Sequence, residues 1–156
     1  MTLTAYRLCP RSQADSGRAF LGEGARLAGG RWNPPGIAVV YAAGALSLAC
    51  LELLVHFESL DDLPPLAFFR LQFDASLMLP VPPLPPDWGA LPASASTRRL
   101  GAAWVREGGS AVLQVPSVII PTEHNFVLNP AHPDFNRIQI SPAQAFALDP
   151  RLVAGG

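Results

Sequence analysis

Charge is scarce in this sequence, and its scarcity excludes a whole class of functions. Only 15% of the 156 residues are Asp, Glu, Lys or Arg, and 11 basic residues stand against 12 acidic ones. A net charge of −1 with a pI near 6.3 leaves no basic footprint for nucleic acid. Cysteine is nearly missing: Cys9 and Cys50 make no secreted disulfide framework and read as free thiols in a cytoplasmic protein. No apolar run is long enough to span a bilayer, because the longest, Leu46 to Phe57, is interrupted by Glu52 and His56. The opening MTLTAYRLCPRSQ lacks the basic start and apolar core of a signal peptide. There is no Walker A sequence, no GxGxxG, no HExxH and no GxSxG elbow around a serine. His124 and His132 do not complete a zinc spacing with the two distant cysteines, so no metal is expected.

What is present is apolar and broken by proline and glycine. Hydrophobic residues make up 49% of the chain, alongside 17 prolines and 13 glycines. At this length one domain, residues 1–156, is expected to bury about two-thirds of its unfolded surface. The apolar excess also fits a surface made for a partner protein. Thr2 to Leu8 reads as a first strand. Residues 10–30 read as a loop or short helix anchored by Phe20 and Leu21. A strand at 37–42 and a helix at about 46–58 follow, and Leu66 to Asp74 alternates as a half-exposed antiparallel strand. Residues 79–93 are too rich in proline for a helix or a central strand and are expected to form a surface loop around Trp88. A helix to about Glu107, with Leu100, Ala103 and Trp104 on one face, is stopped by Gly108-Gly109. Ser110 to Val115 and Ser117 to Ile120 read as strand, 122–133 as polar loop, and 137–140 and 143–148 as two last strands. Strands with a few helices in no βαβ order give an α+β fold with a mainly antiparallel or mixed sheet.

The chemistry concentrates in Gly29 to Glu52. Gly29-Gly30 and Pro34-Pro35-Gly36 fix the backbone around Arg31. Arg31 is then either a surface arginine or an anion-binding fork. Tyr41 ends a buried strand, as a hydrogen-bonded core residue or as the wall of a cleft. Glu52 and His56 lie four apart on one helix face, either as an exposed pair or as a carboxylate turned into a pocket with an imidazole orienting it. Ser117 alone is a strand serine. Arg98-Arg99 read as a solvated helix start, and Cys50, in an apolar helix, as an unreactive thiol.

Together, the opening Tyr6-Arg7, the GGRWN block, the strand tyrosine, the SLA..E helix, the Pro116-Ser117 pair and the N-x-x-x-N-P-x-H-P-D run from Asn125 to Asp134 resemble the RES-domain family. That family is named for an arginine, a glutamate and a serine, which match Arg31, Glu52 and Ser117. The resemblance implies a fold like that of ADP-ribosyltransferases. It implies a bacterial type II toxin that consumes NAD+, partnered by an antitoxin with a helix-turn-helix region. The ADP-ribose passes to a protein, to water or to phosphate. On that reading Glu52 stabilises the ribose cation, Arg31 holds the pyrophosphate and Tyr41 stacks on the nicotinamide end. Ser117 hydrogen-bonds substrate or positions Glu52, and His56 tunes it. Arg7 serves the phosphates, and Asn129 lines the pocket or holds its loop. The alternative is a non-catalytic binding module whose apolar surface serves only a partner.

Overall fold

The computed structural model describes residues 1–153. Its centre is an eight-stranded sheet made of β1 (Thr2–Pro10), β2 (Val40–Ala43), β3 (Leu66–Asp74), β4 (Met78–Leu79), β5 (Val112–Pro116), β6 (His124–Leu128), β7 (Gln139–Ile140) and β8 (Gln144–Phe146). The spatial order is β4-β5-β6-β2-β1-β3-β7, with β8 also pairing β3. Only β4–β5 is parallel; the other pairings are antiparallel. Helices α1 (Ser16–Ala19), α2 (Glu23–Ala28), α3 (Leu46–Leu54) and α4 (Ala95–Glu107) complete an α+β fold, as the sequence led us to expect.

The two faces of the sheet are chemically different. Register places Ala5, Cys9, Val40, Ala42, Phe69, Leu71, Phe73, Phe126 and Leu128 on one face, where they form a continuous buried cluster. Phe20 and Phe73 meet their neighbours Phe69 and Phe126 edge-on, at 5.1 and 5.6 Å between ring centres. The other face carries Tyr41, Ala43, Asn125, Val127, Leu113 and Val115 and is covered by α3 and α4. Between the halves the sheet is barely closed. β1 pairs with β3 along its whole length but meets β2 at one registered pair, Tyr6 with Ala43.

Several local expectations change. The segment 37–39 stays out of β2 because the Ile37 carbonyl is taken by the Asn33 side chain. The third helix stops at Leu54 rather than 58, as His56 N–H and Phe57 N–H turn to carbonyls three residues back. Ser117 to Ile120 is a turn, not strand. The stretch 122–133, expected to be loop, contains β6, whose Phe126, Val127 and Leu128 are buried between β2 and β5. Central strands lack the alternation that marks exposed ones. Of the two expected anchors near residue 20, Phe20 is buried and Leu21 exposed; Ala103 on α4 is also exposed.

Candidate active site

Asn33 builds the turn that carries Arg31. It is fully buried, and its Nδ2 donates to the carbonyls of Ala25, Pro34 and Ile37 at 2.8, 3.2 and 3.0 Å. Its Oδ1 accepts the Tyr41 hydroxyl at 2.6 Å, and that hydroxyl accepts from Trp32 N–H at 3.1 Å. Burial pushes the Tyr41 phenol well above its ordinary range, so it stays neutral and can donate to Asn33. Gly30 must be glycine, because a Cβ there would sit 2.7 Å from the Tyr41 oxygen. Arg7 braces the same tyrosine from β1: its Nη1 donates to the Tyr41 carbonyl at 3.1 Å and its Nε to the Ala19 carbonyl at 2.8 Å. Burial lowers the Arg7 pKa, and the guanidinium stands over the Phe20 ring.

From this turn Arg31 reaches the proline-rich loop. Its Nη1 donates to the carbonyls of Trp88 and Ala90 at 3.0 and 2.8 Å. Trp88 packs against the cluster of Trp32, Trp104, Leu113 and Val127, so the 79–93 loop lies as a strap across the turn. Burial lowers the Arg31 pKa, while the Glu52 carboxylate, the larger opposing influence, and Tyr41 raise it. The guanidinium therefore shares an electrostatic field with both.

Glu52 comes from α3 and is anchored by residues at the end of β5 and on β6. Its Oε1 accepts from Ser117 Oγ and from Asn125 Nδ2, each at 2.7 Å. The direction of the serine bond is forced. Ser117 Oγ already accepts from the Ile119 and Ile120 N–H groups, both at 3.1 Å, so its single proton goes to the carboxylate. Two donors on one oxygen fix the carboxylate as an acceptor and set its plane. Glu52 Oε2 makes no hydrogen bond among the described residues, and Asn125 Oδ1 is buried without a partner.

The structure thus brings Glu52, Ser117 and Asn125 into direct contact, while Arg31 and Tyr41 meet at the Asn33 turn and Arg31 feels the Glu52 charge. His56 is not with them. It lies in the exposed turn beyond α3 and makes no hydrogen bond to Glu52; the expected helical pairing fails because the helix ends between the two. Asn129 holds its loop: its Oδ1 accepts from Ala131 N–H at 3.0 Å and its own N–H bonds the Ala111 carbonyl at 2.9 Å. His132 has a similar task, with Nδ1 accepting from Asp134 N–H and Nε2 facing the Gly108 carbonyl. Asn125 and Asn33 are the residues that sequence reasoning missed. The signal that could have found Asn125 is the apolar run Phe126-Val127-Leu128 directly after it, which suits a buried strand. Read as part of a polar loop, Asn125 had no direction. Burial raises the Cys50 thiol pKa, which keeps it protonated. Among the described residues no three His, Cys, Asp or Glu side chains gather as a metal site, and no helix is long and apolar enough to cross a membrane. A groove of about 540 Å³ lined by Arg11, Leu60, Leu63, Phe146 and Leu148 lies at the β3–β8 edge and includes none of the residues above.

Known proteins resemble this chain in sequence and in architecture. A family model described as RES domain matches residues 4–149. The chain is 37% identical to the "Prs ADP-ribosylating toxin" of Sphingobium sp., covering 98% of each chain. It is 40% identical to "Toxin Res" of Yersinia enterocolitica, covering 94% of this chain and 97% of that one. Among solved structures it resembles a chain of the M. tuberculosis MbcT-MbcA toxin-antitoxin complex with a TM-score of 0.74, at 18% identity, over 94% of this chain and 85% of that one. At that identity the likeness shows the fold.

Proposed function

The chain belongs to the RES-domain family, and on that premise we propose that it is a toxin of a type II toxin–antitoxin pair that cleaves the nicotinamide–ribose bond of NAD+. The observation that carries the reading is the clamped carboxylate: Glu52 held on one oxygen by Ser117 and Asn125, with its other oxygen making no hydrogen bond among the described residues.

The chemistry asks little more of the protein. As the bond between C1′ of the ribose and the pyridinium nitrogen breaks, its electron pair leaves with nicotinamide, which departs neutral, and positive charge grows on the ribose. A fixed carboxylate stabilises that charge without reorganising. Glu52 is the residue proposed for this, and Ser117 and Asn125 hold it. Arg31, with Nε and Nη2 free of the strap, suits the diphosphate. Tyr41 is proposed to orient the nicotinamide end of the substrate, and no metal is required. An acceptor then bonds to C1′ and gives up its proton. The name borne by the Sphingobium relative favours a protein side chain as that acceptor, with water or phosphate as the other outcomes. The partner proposed is an antitoxin with a helix-turn-helix region, and the compartment the cytoplasm.

NAD+ labelled in the adenylate moiety tests this. Release of nicotinamide, with label fixed on a protein band, is the expected result. Free ADP-ribose identifies a glycohydrolase, and ADP-ribose 1″-phosphate formed only with phosphate present identifies a phosphorylase. Intact NAD+ after long incubation would refute NAD+ cleavage altogether.

A further inference from the structure

A second guanidinium stands at the Arg31 turn. Arg98, in the first turn of α4, donates its Nε to the Gly30 carbonyl at 3.1 Å. The helix is laid onto the turn at close range: a Cβ at Gly101, one helical turn on, would fall 1.6 Å from the Trp32 carbonyl oxygen. Residues three apart share a helix face, so Arg98 and Gly101 both look toward the turn. The neighbour Arg99 is exposed and makes no side-chain hydrogen bond among the described residues, and it shares a field with Asp87. Two adjacent arginines therefore have different surroundings, and only Arg98 meets the turn.

The donors left over point in one chemical direction. A guanidinium carries donors on all three nitrogens. Arg98 commits Nε, leaving Nη1 and Nη2; Arg31 commits Nη1 to the strap, leaving Nε and Nη2. Neither forms an ion pair among the described residues, whereas Arg26, Arg137 and Arg151 do. The Tyr41 hydroxyl lies against Gly30. Two guanidiniums at one turn, each with free donors, suit a dianion.

We propose that Arg98 is a substrate-binding residue that pairs with Arg31 to bracket the diphosphate of a dinucleotide, one guanidinium from each side of the Gly30–Arg31 peptide. The assignment rests on the NAD+ reading and deepens it. It makes the diphosphate, rather than the adenosine, the part of the substrate recognised here, and it explains why Arg31 can lend one nitrogen to the strap.

The test is calorimetric titration with ADP-ribose, together with NAD+ kinetics, on wild type, Arg98→Gln, Arg98→Lys and Arg99→Gln. Losing charged hydrogen bonds to a phosphate raises Kd for ADP-ribose and KM for NAD+ about ten- to a hundred-fold in Arg98→Gln. The same variant keeps kcat within about two-fold, since the group acts on binding. Arg98→Lys lies between, because an ammonium lacks the fork, and Arg99→Gln matches wild type. An unchanged Kd in Arg98→Gln, or a loss of kcat with KM unchanged, overturns the proposal while leaving NAD+ cleavage standing. A wild-type protein that neither binds ADP-ribose nor cleaves NAD+ overturns both.

Discussion

The two faces of the β2–β6 pair are made from neighbouring residues of the same strands, yet they obey opposite rules. On one face Val40, Ala42, Phe126 and Leu128 disappear into hydrocarbon with Phe69, Leu71 and Phe73. Nothing polar on those side chains needs a partner, and packing is the whole of their contribution. On the other face Tyr41 and Asn125 alternate with the same residues, and each polar atom has to be matched. Tyr41 achieves this completely through Asn33 and Trp32. Asn125 and Glu52 do not: one acceptor of Asn125 is orphaned, and one oxygen of Glu52 has no hydrogen bond among the described residues. A buried acceptor left unsatisfied costs about 1–3 kcal/mol. One face has every polar side-chain atom matched and the other does not, and the proposed function is placed on the second.

Substitutions on the two faces should therefore separate stability from turnover. The largest effect is expected from Phe69→Ala, which opens a cavity beneath Phe20 in the apolar face. Urea unfolding should show a loss of about 3–5 kcal/mol, with the folded fraction at low temperature keeping the wild-type kcat. Gly101→Ala comes next. Its methyl group cannot coexist with the Trp32 carbonyl, so α4 must lift from the turn, at a cost of about 1–3 kcal/mol. Because Arg98 moves with α4, KM for NAD+ should rise as well, which Phe69→Ala does not do. Asn125→Ala reverses the pattern of Phe69→Ala. It removes the orphaned acceptor together with one donor to Glu52, so the melting temperature should stay within a few degrees while kcat falls about ten-fold.

The smallest effect belongs to neither face. Asp74, exposed at the end of β3, is held down to about 2, first by the Ser76 N–H and then by the Ser76 side chain and the N-terminal ammonium. A carboxylate depressed in the folded state stabilises above its unfolded pKa of about 3.9, and that contribution is lost as pH falls through the folded value. Asp74→Asn should therefore melt slightly below wild type at neutral pH, and the gap should close between about pH 4 and pH 2. A gap that is constant with pH would show that ionisation of Asp74 has no part in it.

The apolar face was the more legible of the two in sequence. The alternation of Leu66 to Asp74 reads directly as β3, and proline density alone marks 79–93 as loop. Arg31 in its glycine-bounded turn and Glu52 among leucines also stood out, because charge is conspicuous in an apolar chain. What stayed hidden depended on distant partners. Asn125 looked like one more loop amide because β6 is buried on both sides and lacks alternation. The strap on Arg31 joins residues 57 and 59 positions apart, and no local pattern encodes that. Arg98 and Arg99 are indistinguishable until Gly101 seats the helix. His56 misled because helical spacing was extended past the point where the helix ends.

Above all, the clamped Glu52 carboxylate is held to drive nicotinamide release. Initial rates of release at saturating NAD+, from wild type and from Glu52→Gln prepared side by side, test this most directly. A fall of about 10²–10³ is expected in Glu52→Gln, with the melting temperature and the Kd for ADP-ribose preserved. Equal rates from the two folded proteins would contradict it.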